Sequence, residues 1–176
     1  MKFYSDIRLL ILAIWLGAAV FFIGVAQSAF AVLPDRELAG AVVNRNLMIL
    51  NFGGIGIAVI LLLTSLVGTA KISTFWLWIE RFLLLLLAAT CAVNHFVITF
   101  WMSALRAQMA GYIDGIIPAS DSPQAQFDKL HQYSTWVFMA GMVVALIAFF
   151  IISNRRFGLV KPEKADVYDF SKEFKV

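Results

Sequence analysis

Charged residues come in clusters along this chain, and long apolar stretches separate them. There are 26 uncharged residues between Arg8 and Asp35, 25 between Arg45 and Lys71, 24 between Arg81 and Arg106, and 25 between Lys129 and Arg155. Each stretch exceeds the ~20 residues that carry a helix across a ~30 Å hydrocarbon layer at ~1.5 Å per residue. A strand of a membrane barrel alternates apolar and polar positions over ~10 residues, whereas Leu83 to Leu87 is an unbroken leucine run. In lipid the backbone has to satisfy its own hydrogen bonds, so helices follow. The pattern predicts four transmembrane helices over 7–32, 47–68, 75–105 and 131–152. The fold class is therefore all-α, an integral membrane four-helix bundle. Residues 1–152 form its transmembrane domain, and 153–176 form a polar cytoplasmic tail. The first apolar stretch is too long for a signal peptide, whose apolar core spans ~7–15 residues, so it reads as a retained helix.

Composition supports this reading. Of the 176 residues, 61% are apolar and 14% charged, where a soluble domain carries roughly 45–50% and 25%. A soluble globule is excluded, and so is disorder over most of the chain. A single cysteine excludes a disulfide framework and a cysteine-rich zinc site.

Lysine and arginine set the expected orientation. The N-terminus, the second connection and the tail share one side. They carry Lys2, Arg8, Lys71, Arg81 and six basic residues from Arg155 onward, ten in all, against Arg36, Arg45, Arg106 and Lys129 on the other side. The positive-inside rule then places both ends in the cytosol, N-in and C-in, in a bacterial inner membrane. These flanking charges suit anionic headgroups rather than nucleic acid. Trp76 and Trp78 are expected at one headgroup boundary, and Trp101 and Trp136 at the other. Pro34 closes the first helix or opens the next, and 38–43 can extend helix two as an interfacial turn. The connection at 69–74 makes a tight hairpin, and 106–128 is a long loop whose Asp121 or Ser122 caps the helix that Pro123 opens.

Small residues suggest where helices meet, because packing and polar bridges, not hydrophobic drive, join helices in lipid. Gly17, Gly24 and Ser28 share a face of the first helix. Gly53, Gly54 and Gly56 open one side of the second, and Gly141 and Ala145 pair on the fourth. Candidate chemistry lies in the third helix, with Thr90, Cys91, Asn94, His95 and Thr99. Cys91 and His95 are four apart and share a face. A thiol and an imidazole together suit a soft metal such as copper, and His95 suits haem ligation or proton relay. The plainer reading has Asn94 and His95 hydrogen-bonding across the bundle to Gln27, Ser28 or backbone. His131 and Ser134 open the fourth helix, where Arg106 is expected to contact Asp128 or His131. No carboxylate is expected inside the spans, which disfavours a carboxylate relay. Motifs for zinc proteases, serine hydrolases, P-loops and dinucleotide binding do not occur.

Three blocks carry a family resemblance: Trp15-Leu16-Gly17 through Phe30 to Leu33-Pro34 and Leu38-Ala39-Gly40; Arg81-Phe82 with the leucine run, Asn94 and Leu105-Arg106; and Phe127 to Ser134. With them the chain resembles the transmembrane protein 205-like family, domain of unknown function 4149. Trp101 stands where such proteins often show a proline. The resemblance implies a four-helix integral membrane protein, distantly similar to copper-resistance protein D and to a haem-binding four-helix protoporphyrinogen oxidase. The expected function is non-enzymatic: an accessory subunit or scaffold without a cofactor, whose partners are the bilayer, other membrane subunits or a second copy of the chain. The alternatives are a haem or copper protein using His95 with Cys91 or His131, and a small-solute permease lined by Gln27, Thr90, Asn94 and His95.

Overall fold

A computed structural model describes residues 2–66, 74–109 and 122–157. All regular structure among them is helical. Helix α1 runs over Lys2–Val32 and α2 over Arg36–Leu66. Helix α3, Thr74–Ala92, passes through a π-helical segment, Val93–Ile98, into α4, Thr99–Met109. Helix α5 covers Pro123–Phe157. The hairpin expected at 69–74, the centre of the 106–128 loop and all but the start of the tail lie outside the described residues.

Four stretches are long and apolar enough to cross a membrane: Ser5–Val32, Leu38–Leu66, Phe75–Met109 and Pro123–Asn154. They correspond to the four predicted spans but are longer at several ends. Residues 38–43 extend α2, as expected, and α5 starts eight residues before 131. At 35 residues α5 is about 52 Å long, so it tilts within a ~30 Å layer or extends past it. Pro34 lies between α1 and α2, where its missing N–H is not needed. Ser122 caps α5. Its hydroxyl oxygen accepts the Ala125 N–H at 3.2 Å, with Pro123 in the first helical position. Ser122→Ala is expected to cost about 1 kcal/mol and to speed amide exchange in the first turn of α5, as read by hydrogen-exchange mass spectrometry. Unchanged exchange there would speak against the cap.

The helices form a ring: α1 packs on α2, α2 on α3, α3 on α5, and α5 closes against α1. The leucine run shows how the pattern resolves into faces. Leu83, Leu84 and Leu87 are buried while Leu85 and Leu86 are exposed, as a period of 3.6 requires. Leu12, Leu61 and Ile152 join Leu84 and Leu87 as the fully buried centre. Outward, large apolar side chains such as Phe21, Phe82, Phe100 and Phe150 stand exposed. A surface of that kind, spread over all the long helices, is far larger than the apolar patches of a soluble monomer and is suited to lipid.

Glycines decide how closely the ring can draw in at two points. A Cβ on Gly54 would lie 2.6 Å from Cys91 Sγ and 3.1 Å from Trp15 Nε1, and one on Gly141 would lie 3.0 Å from Thr90 Oγ1. These are the small-residue contacts expected of helices two and four. The expected stripe on helix one does not pack. Gly17 and Gly24 have nothing within 4 Å of a would-be Cβ, and Ser28 is exposed. The opposite face of α1, with Leu12, Trp15, Ala19 and Phe22, enters the core instead, where Trp15 bridges to the Leu50 carbonyl of α2.

Candidate functional site

Two polar centres lie inside the ring. The first sits at the end where α1 and α3 begin and α2 finishes. Arg8 Nη2 donates to Glu80 Oε1 across the bundle and to the Leu61 carbonyl oxygen at 2.9 Å. Beside it, Arg81 Nε donates to Ser65 Oγ at 3.1 Å and Arg81 Nη2 to the Ser65 carbonyl at 3.0 Å. Glu80 is 0% exposed and Arg8 12%. This corrects the expectation of spans free of carboxylates, since Glu80 falls within Phe75–Met109. The charge is tolerated because a guanidinium meets it, and the Arg8 stem carries its head to the partner along apolar surface. One arginine thereby ties α1, α2 and α3 together.

The second centre is a narrow crevice where all four spans meet. Trp15 contributes from α1, Asn51 from α2, and Thr90, Cys91 and Asn94 from α3 and the π segment. From α5 come Val137, Phe138 and Gly141. The crevice is too tight for a water-sized sphere. The apolar stretches have midpoints near residues 18–19, 52, 92 and 138–139. Trp15, Asn51, Asn94 and Phe138 therefore lie within about 5 Å of rise from the middle of their spans.

Two side chains of the crevice are held by a neighbouring helix. Trp15 Nε1 donates to the Leu50 carbonyl at 3.0 Å, an approach to the α2 backbone that Gly54 leaves open. Ser134 Oγ donates to Asn94 Oδ1 at 2.6 Å and joins α5 to the π segment. The Asn94 carbonyl accepts both the Thr99 N–H and the Thr99 hydroxyl, the latter at 3.0 Å. Those five-residue bonds widen the turn, and such π segments concentrate at functional positions. The carboxamide nitrogens of Asn51 and Asn94 have no hydrogen-bond partner among the described residues, although each residue is 1% exposed.

The candidate residues from the sequence are only partly brought together. Cys91 and Asn94 share the crevice. His95 is half-buried outside it, its ring 4.5 Å from that of Phe52 and 4.9 Å from that of Phe96. Gln27 and Ser28 are exposed on α1, and Asn94 binds Ser134 rather than either of them. His131 is exposed near the start of α5, and Ser134, one turn further, is buried. No three His, Cys, Asp or Glu side chains gather as a ligand set among the described residues. Arg106 lies over the Phe127 ring, 5.2 Å from its centre, next to the Asp128 that the sequence suggested. Trp136 is exposed on α5, 13 residues after Pro123. Asn51 was not singled out from the sequence. Its signal is one carboxamide in the middle of an apolar run, a costly placement in lipid.

Fold and interior together define a helical membrane bundle with polar ties between its helices. Residues 10–111 match the family described as a domain of unknown function (DUF4149), and the chain belongs to it. The match takes in α1 from Leu10 through α4, and α5 follows it. No curated protein and no solved structure matches the chain.

Proposed function

We propose that this protein is a non-enzymatic accessory subunit or scaffold of a membrane complex in the bacterial inner membrane, of the transmembrane protein 205-like type, with both chain ends in the cytosol. The observation that carries the reading is how its interior polar groups are used. Arg8 with Glu80, Arg81 with Ser65, Trp15 with the Leu50 carbonyl, and Ser134 with Asn94 all join one helix to another. A ring clasped in this way holds a fixed lateral surface, and that surface presents large apolar side chains to lipid or to another membrane subunit. The ten-to-four division of Lys and Arg supports the orientation.

Native mass spectrometry of the protein released gently from its own membranes tests the role. A co-purifying membrane protein or a defined homo-oligomer is expected, with no Soret band and no copper. A lone monomer would overturn the scaffold reading, and a stoichiometric haem or copper would replace it with a redox one. Reporter fusions at the two ends are expected on the same, cytosolic face.

A further inference from the structure

We propose that the crevice between Asn51 and Asn94 is a mid-bilayer binding site for an uncharged lipophile that presents a carbonyl oxygen. The inference stands apart from the scaffold reading and rests on four observations. Two carboxamide nitrogens, each in a residue 1% exposed, line the same crevice without a partner among the described residues. A buried donor left unpaired costs free energy that a ligand acceptor would recover. Ser134 engages the oxygen of Asn94, which leaves its nitrogen as the free group. The complement of two N–H donors is an acceptor.

The acceptor's charge follows from the walls. No residue lining the crevice carries a formal charge, and an anion without a counter-charge in the middle of a bundle is strongly disfavoured. Its source follows from depth and access. Thr90 and Val137 are the lining residues that reach the outer surface, on the seam between α3 and α5. At mid-span that seam opens on hydrocarbon, where solutes are lipophilic. The remaining walls, Trp15, Cys91, Phe138 and Gly141, suit a flat, largely apolar body. Entry goes with a rotamer change at Val137 or Phe138, since the crevice is closed as it stands. The π segment that carries Asn94 is the element best placed to adjust, because its wider turn already departs from the regular ladder.

Two membrane molecules share this chemistry: a quinone, whose carbonyls travel with a ring to the bilayer centre, and a diacylglycerol, whose ester carbonyls sit at its headgroup end. The full chain, with its asparagine side chains labelled with nitrogen-15, is placed in nanodiscs and titrated with either a short-chain benzoquinone or dioleoylglycerol. Each probe carries carbon-13 at its carbonyls. With one of them, the carboxamide proton signals of Asn51 and Asn94 are expected to move saturably, and the labelled carbonyl stretch to fall in the infrared difference spectrum. The benzoquinone arm responding assigns a quinone, and the glyceride arm a lipid ester. Asn51→Leu and Asn94→Leu are each expected to abolish the infrared shift, while Gln27→Leu, on the exposed face of α1, retains it. Carboxamide signals unmoved by both probes, or an infrared shift that survives both leucine variants, would overturn the site. The label experiment on the unmodified chain stands even where a variant fails to fold.

Discussion

Glu80→Leu is expected to weaken the bundle by about 3–5 kcal/mol, the loss typical when one partner of a buried ion pair is removed. Arg8 would then keep its charge among α1, α2 and α3 with its ion-pair partner gone and the Leu61 carbonyl still accepting from it. Arg8→Met should be of similar size, because it leaves the carboxylate of a residue that is 0% exposed. The informative chain is the double variant. With both charges gone and similar volumes in place, stability is expected to return most of the way to that of the parent, since the desolvation of two ions disappears with their attraction. Unfolding in mixed micelles with increasing SDS, followed by tryptophan emission, reads all four chains in one cycle. A double variant no more stable than the weaker single would mean that Arg8 and Glu80 do not act as a pair.

Gly54→Ala is the second large effect. The new methyl would lie 2.6 Å from Cys91 Sγ and 3.1 Å from the Trp15 ring, and Trp15 is itself tied to the Leu50 carbonyl at 3.0 Å. Overpacking of this kind costs about 1–3 kcal/mol, against a helix-propensity gain of about 0.5–1 kcal/mol. A net loss is expected in the same SDS titration. Cys91→Ala removes the nearer obstacle and is expected to restore part of the stability in the combined chain. Gly56 supplies the control two residues away: nothing lies within 4 Å of its would-be Cβ, so Gly56→Ala should be neutral or slightly stabilising. Equal losses at Gly54 and Gly56 would show that helix propensity, not the meeting with α1 and α3, sets the effect.

Much of the architecture was legible in the charge gaps. Hydrocarbon thickness and helix rise leave little choice for uncharged stretches of 24 to 26 residues, and the four spans follow from those lengths. Helix ends were less legible, because a helix that leaves the hydrocarbon can go on forming its own hydrogen bonds in the headgroup layer. That is why α5 begins at Pro123. The cap at Ser122 was readable, since a serine before a proline in the first helical position is a local signal.

The candidate site was legible only in pieces. Thr90, Cys91, Asn94 and His95 stood out as polar groups in an apolar run, yet the sequence had no means of pairing them across helices. Regular helical spacing put Cys91 and His95 on one face, but the π turn held by Thr99 changes the spacing inside that stretch. His95 lies against Phe52, Cys91 against Gly54, and Asn94 against Ser134. Glu80 carries no local signal of its partner, because Arg8 lies 72 positions earlier and only the fold sets the two together.

By itself the order of residues determined that the chain is helical and built to cross a membrane, because length and apolarity act locally and need no neighbour. Only the tertiary structure decided which face of each helix turns inward, and so which polar groups meet. Facing depends on the combined shape of all four spans. It buried Trp15 and left Gly17 outside, and it brought Asn51 and Asn94 to the same depth within one ring.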